Sequence, residues 1–255
     1  MINRIATFLY GAVSYLVFFA SFLYAIGFLG NFAVPKSMDS IAAGAWQSAL
    51  LIDLGLLVLF ALQHSVMARP GFKRIFTRIA PAAIERSTYV LASSVALLFL
   101  FWQWRPLGGI VWDVHNSAGR ALLFSAFASG WLLILYVSLL ISHFDLFGLR
   151  QVWLHLKGRP QTKLQFVTPF LYRMVRHPLY VGWLLTFWCT PTMTVTHLVF
   201  ALGATAYILA AIQLEERDLM SMHPEYAEYR VQVPMLVPKM PKSTEAPHPF
   251  SVRRG

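Results

Sequence analysis

Five long apolar stretches, at 6–30, 44–67, 87–104, 119–143 and 179–214, constrain this chain more than any other feature. A helix needs about 20 apolar residues to cross the ~30 Å hydrocarbon layer of a bilayer. The first four stretches are of that order. The fifth is too long for one ordinary span, and "CTPTMT" at 189–194 sets a proline among small polar residues near its middle. Such a cluster breaks a helix. The spacing therefore predicts a hairpin, with one helix over 178–189 and a second over 195–214. The first arm is short for a full span, so it is expected to be tilted or to lie partly at the surface. Only 13% of the residues are charged, where a soluble domain has about 25%. The fold class that follows is all-α: a polytopic integral membrane bundle of six helices, or five if the short arm does not cross.

The net charge is +10, and its distribution points away from nucleic acid. With the N-terminus placed inside, eighteen of the 21 Lys and Arg residues fall on inner segments; only Lys36, Arg105 and Arg120 fall outside. That asymmetry predicts both termini on the cytoplasmic side and a basic face beside anionic lipid headgroups. The length suits one domain, 1–255, with a four-helix part at 1–143 and a second part at 144–242 that carries the hairpin. The polar end, 243–255, reads as disordered. The first apolar stretch is too long for a signal-peptide core and reads as an uncleaved helix. Cys189 is the sole cysteine, which excludes an intrachain disulfide and a thiolate metal cluster. The histidines lack a close-spaced zinc pattern, so no metal site is expected.

Several polar groups sit where apolar helices meet the inner interface. In "YRMVRHPLYVGWLL" (172–185), Pro178 suits the first turn of a helix, and it pushes His177 toward extended backbone. Arg176 and His177 then precede a helix N-terminus, whose free amides and dipole attract an anion. Tyr180 adds a hydroxyl, and Gly182 allows a ligand or another helix to approach closely. These residues form either a carboxylate or phosphate site or the ordinary anchors of a helix. Glu215 and Glu216 end the last apolar stretch, where acidic groups oppose the helix dipole. Adjacent helical residues point about 100° apart, so one glutamate can meet a ligand while the other pairs with an arginine. Tyr226 and Tyr229 share a face and can close over a ligand or rest on headgroups. His64, beside Gln63 and Ser65, and His143, two residues before Asp145, end two other helices at the same level. Asp53 lies about 16 Å along the helix from His64, and reads as a buried group bonded to a neighbouring helix. An intramembrane ionisable group marks function, and convergence of this set at one level suits a ligand carrying an anion, an amine and hydroxyls.

"RHPLYVG" (176–182), "EERDL" (215–219), "YAEY" (226–229) and "VPMLVP" (233–238) together resemble the isoprenylcysteine carboxyl methyltransferase and phospholipid methyltransferase superfamily. Upstream, "QHSVMAR" and "SHFDLFGLRQVW" resemble a narrower branch, the NnrU-like proteins and bacterial methanethiol S-methyltransferases. The resemblance implies a bacterial inner-membrane enzyme that binds S-adenosylmethionine through Arg176, His177, Pro178, Tyr180, Gly182, Glu215, Glu216, Tyr226 and Tyr229. It implies methylation of methanethiol to dimethyl sulfide, with His64, His143 or Asp145 accepting the thiol proton and His64 favoured. Two alternatives stand beside it. One is a larger lipidic acceptor, a prenylcysteine or a phospholipid amine. The other is a haem protein ligated by His64 and His143.

Overall fold

The computed structural model describes residues 1–42, 44–162 and 168–238, so the expected disordered tail lies outside the described residues. In chain order the elements are α1 (Ile2–Gly30), α2 (Trp46–Ala68), α3 (Pro70–Ile79), α4 (Ala82–Gln103), β1 (Ile110–Asp113), α5 (Ser117–Leu140), α6 (His143–Leu146), α7 (Leu149–Leu156), α8 (Pro178–Trp188), β2 (Thr192–Thr194), α9 (Val195–Met222) and α10 (Tyr226–Gln232). Among the described residues five helices, α1, α2, α4, α5 and α9, are long and apolar enough to cross a membrane. The chain is a polytopic all-α membrane protein.

The helix ends follow local chemistry. Asn31 closes α1 in the left-handed region and returns its N–H to Gly27 O. The Asn116 side chain caps α5 and the Thr194 side chain caps α9, each accepting from a first-turn amide. Pro178 opens α8 as expected. The stretch 119–143 is not one helix: α5 stops at Leu140, Ser142 adopts φ 82°, and His143 begins the separate one-turn α6.

The hairpin forms, with a difference from the six-or-five count. Its first arm, α8, has 11 residues, a rise of about 16 Å and half of the hydrocarbon layer. The chain then continues through 189–194, where β2 pairs antiparallel with β1, Thr194 opposite Ile110. That ribbon lies at the end of the bundle away from the Arg-rich end, because β1 belongs to the α4–α5 connection. His177 bonds Glu216 near the Arg-rich end of α9. Residues 177–194 therefore pass from one end of the bundle to the other, first as helix and then as non-helical chain. Irregular backbone at such depth survives only when protein satisfies it. His197 Nε2 meets Phe187 O at 2.9 Å, Trp112 Nε1 donates to Thr190 O at 3.2 Å, and Val114 N donates to Pro191 O at 2.9 Å.

The five spanning helices and α8 close a ring in which α4 packs on α1 and α2, α9 on α2 and α8, and α8 on α5. Aromatic contacts complete it. Phe22 of α1 meets Trp131 of α5 at 5.1 Å; Trp131, Trp183, Phe187, Phe200 and Trp104 follow in sequence across α8 and α9 to α4. Phe28 joins Trp104 back to α1. Gly182 and Gly130 let α8 and α5 touch: a Cβ on Gly182 would lie 2.8 Å from Ile134 Cγ1, and one on Gly130 would lie 2.8 Å from Gly182 O. Of the two uses open to Gly182, the structure shows the approach of a helix. Asp53 accepts from the Arg105 amide at 2.8 Å, joining α2 to the end of α4.

At the ribbon end, Asp39 accepts from the Thr194 hydroxyl and from Asn31 Nδ2 at 2.6 Å, with His197 Nδ1 at 3.6 Å. Burial raises the Asp39 carboxyl, but His197, Thr194 and Asn31 outweigh it and hold the group below the ordinary carboxylate value. A depressed folded pKa contributes stability above the ordinary value of about 4 and loses it as pH falls through the folded pKa. Asp39→Asn is thus expected to lower the melting temperature in detergent at pH 7, with the gap to the native protein closing below pH ~4; an equal gap at pH 7 and pH 3 refutes the account. Gly130→Ala is expected to cost about 1–3 kcal/mol through overpacking, read as a lower melting temperature; an unchanged one contradicts the close approach of α5 and α8.

Candidate active site at the basic end of the bundle

Glu216 organises this end. It lies in the last turns of α9 and is buried. Arg176 Nε donates to its Oε1 at 2.7 Å, and His177 Nε2 lies 3.0 Å from the same oxygen. Tyr226 Oη donates to it at 3.4 Å. Arg230 Nε is 3.0 Å from Oε2, an ion contact without hydrogen-bond alignment. Arg176 also donates through Nη1 to Arg230 O at 2.9 Å and to Val233 O at 2.5 Å, and its amide donates to Pro234 O at 2.8 Å. The His177 amide donates to Met235 O at 3.2 Å. Residues 233–235 thus form a strap over the start of α8, and two of their carbonyls accept the Arg176 and His177 amides. Tyr229 donates to Tyr172 O at 2.5 Å, and the Tyr226 and Tyr229 rings lie 5.5 Å apart. Both tyrosines are buried inside this clasp rather than resting on headgroups. Burial, then the neighbouring Glu216 or Tyr226, raises both phenols, so they remain neutral donors.

Glu215 stands apart from the clasp. Its side chain is 46% exposed, against 2% for Glu216. Tyr180 Oη donates to Oε2 at 3.1 Å, and His177 Nδ1 lies 4.0 Å away. Its charge reaches the hydroxyls of Tyr89, Tyr172 and Tyr207 as well. Burial and that charge push Tyr172 up to about 12. Of the expected division the arginine half is present: Glu216 is locked to Arg176, and Glu215 accepts from the Tyr180 phenol.

His64 adjoins those phenols. Tyr89 Oη lies 2.7 Å from His64 Nε2, Ser93 Oγ lies 3.1 Å from Nδ1, and Ser65 donates to Tyr207 Oη at 3.2 Å. His143 has other neighbours. Tyr15 Oη lies 2.9 Å from Nε2, and Ser138 Oγ lies 2.9 Å from Nδ1. Burial lowers its pKa, which favours the neutral ring. Asp145 accepts from Arg150 Nη1 at 2.8 Å. The two histidines thus bond to different helices, His64 to α4 and His143 to α1 and α5, and α4 packs between α1 and α2. Arg176, His177, Tyr180, Glu215, Glu216 and His64 converge on neighbouring surfaces of α8, α9 and α2; His143 and Asp145 form a separate group. Sequence reasoning missed Tyr89, Ser93, Tyr207 and Arg230. Their signal was weak: Tyr89 and Ser93 are hydroxyls four apart on one face of an apolar helix.

Glu216→Ala is expected to cost about 3–5 kcal/mol, since it strands the Arg176 charge, whereas Glu215→Gln is expected to cost under ~1 kcal/mol. Thermal unfolding in detergent measures both, and equal losses would contradict the division between the two carboxylates.

No protein-family model and no solved structure matches the chain. Among curated proteins, the methanethiol S-methyltransferase of Crocosphaera subtropica is 54% identical over 244 residues, 95% of this chain and 96% of its own length. That of Mycobacterium tuberculosis is 52% identical over 92% of this chain and 97% of its own length. Nurim of Xenopus laevis is 32% identical over 188 residues, 71% of this chain and 66% of its own length. With more than half of its residues shared across nearly the full length of such relatives, the chain belongs to the methanethiol S-methyltransferase family of integral membrane enzymes.

Proposed function

We propose that this enzyme transfers the methyl group of S-adenosylmethionine to methanethiol at the basic end of the bundle, forming dimethyl sulfide and S-adenosylhomocysteine. The observation that carries the reading is the separation of Glu215 from Glu216. A half-exposed carboxylate whose hydrogen-bond donor among the described residues is the Tyr180 phenol fits the ammonium or ribose hydroxyls of such a methyl donor, and the Tyr180 face fits its sulfonium. When bound, the donor supplies an electrophilic methyl carbon, and its C–S bond breaks toward the leaving sulfur as the thiolate–carbon bond forms.

The chain's residues divide into two roles. Glu215 and Tyr180 touch the donor. Arg176, His177, Pro178, Gly182, Glu216, Tyr226 and Tyr229 build the wall that holds them, through the Glu216 clasp and the α5–α8 contact. Alignment of nucleophile and methyl is the main contribution of such a site, which is why a rigid, buried ion cluster belongs beside it. His64 accepts the thiol proton, because the thiolate is the attacking species, and later releases it to water. Asp145 is committed to Arg150, and His143 lies among α1 and α5 residues, so neither is as well placed. The Lys and Arg asymmetry supports a site on the cytoplasmic side, where a polar donor enters from water, and the bacterial inner membrane is the reading that goes with it. Methanethiol is small and apolar and reaches the site through the bilayer.

Purified protein given both substrates should release dimethyl sulfide into the headspace, measured by gas chromatography. Donor binding without product would overturn the acceptor assignment. Glu215→Gln should weaken donor binding in calorimetry by about tenfold, the scale of one charge-assisted contact; unchanged affinity would remove Glu215 from the site.

A further inference from the structure

We infer that the acceptor thiol has its own site between α2, α4 and α9, walled by Phe60, Tyr89 and Tyr207, with Tyr89 and Ser93 positioning His64 at its edge. This rests on the proposed methyl transfer to a thiol, and it concerns residues outside the Arg176–Glu216 clasp. His64 lies four residues before the end of α2, inside an apolar span where a polar ring is costly. Tyr89 and Ser93 present their hydroxyls from one face of α4. Tyr89 Oη lies 2.7 Å from Nε2 and 3.2 Å from Nδ1, and Ser93 Oγ lies 3.1 Å from Nδ1. Two groups on one rigid helix thus hold the ring in place.

The walls are aromatic. Phe60, one turn before His64, stacks on the imidazole at 5.3 Å and 23°. Tyr207 meets the imidazole edge-on at 6.3 Å and Phe60 at 6.4 Å. Tyr89 and Tyr207 also lie within electrostatic reach of Glu215 and of Tyr180. Ser65 donates to Tyr207 Oη at 3.2 Å, so a phenol of α9, the helix that also carries Glu215, reaches the turn of α2 that holds His64.

The lining selects a chemical class. Phenyl and phenol faces make favourable contacts with sulfur. His64 touches hydroxyls and rings rather than a carboxylate, so the site suits a small neutral thiol and not an amine. The Arg86 guanidinium, 5.1 Å from the Tyr89 ring centre, adds positive charge that suits the thiolate formed there. In the inferred site Phe60, stacked on the imidazole, limits the length of the alkyl chain.

The test compares the native protein with Phe60→Ala, Tyr89→Phe and Ser93→Ala, using methanethiol, ethanethiol and propanethiol, with donor affinity followed by calorimetry. Phe60→Ala should raise the preference for propanethiol over methanethiol, as kcat/KM, by about tenfold or more, the effect of one or two methylenes in an apolar pocket. Tyr89→Phe should raise the thiol KM and move the acid limb of the pH profile, with donor affinity unchanged. Ser93→Ala should move the same limb, and it serves if Tyr89→Phe loses donor binding through misfolding. A native enzyme that makes dimethyl sulfide while the variants keep its chain-length preference, thiol KM and acid limb overturns the acceptor site and leaves the methyl transfer standing. Parallel loss of donor and thiol affinity in correctly folded variants would put these residues on the donor side and also overturn it. A native protein that forms no dimethyl sulfide removes the underlying reading itself.

Discussion

A carboxylate at the end of a membrane-spanning helix is stable only when charge and hydrogen bonds neutralise it. Glu216 meets that demand with groups drawn from several parts of the chain: Arg176 and His177 before α8, and Tyr226 and Arg230 in α10. Arg176 then spends further donors on the carbonyls of residues 230 and 233. Through one buried acid, the last spanning helix, the short hairpin arm and the C-terminal strap become a single rigid corner. Glu215 lies outside this cluster, with the Tyr180 hydroxyl as its donor.

The short arm contributes in a second way. A full-length helix in its place would align along α9, and its backbone would satisfy itself. Eleven helical residues cannot cross, so the remaining chain passes through the bundle as non-helical backbone. Two of its carbonyls are met by Trp112 and the Val114 amide, and His197 meets the last-turn Phe187 carbonyl of α8. The β1–β2 ribbon and the Asp39–His197 contact are therefore parts of the same solution, fixing the far end of the hairpin. Close packing of Gly130 against Gly182 holds the arm against α5 between these two anchors.

Much of this was legible before any coordinates. Apolar lengths located the spanning helices, because the bilayer imposes a length that composition must match, although α4 begins earlier, at Ala82, and α9 runs past 214 to Met222. Proline and small polar residues at 189–194 placed the hairpin break where α8 ends and α9 begins. Pro178 marked the helix start; the dipole argument for the two glutamates failed, because α9 runs on to Met222 and neither lies in its last turn. Other features were not legible. His143 belongs to a one-turn helix behind a left-handed Ser142, a break that the apolar pattern does not encode. The strap at 233–235 uses backbone carbonyls, which every residue has, so no side-chain pattern announces it. Tyr89, Ser93 and Tyr207 are ordinary hydroxyls in apolar helices until a histidine on another helix faces them.

The sequence by itself determined the class, the number of long apolar elements, the concentration of charge at one end and, by resemblance, the family. These depend on composition and local spacing, which the bilayer and the helix dipole read one segment at a time. Only the tertiary structure decided which glutamate is locked and which is open. It also decided that Gly182 serves α5, and that His64 rather than His143 stands beside the phenols. Those outcomes depend on the rotation and depth of helices packed against one another, a relation between distant segments that no single stretch contains.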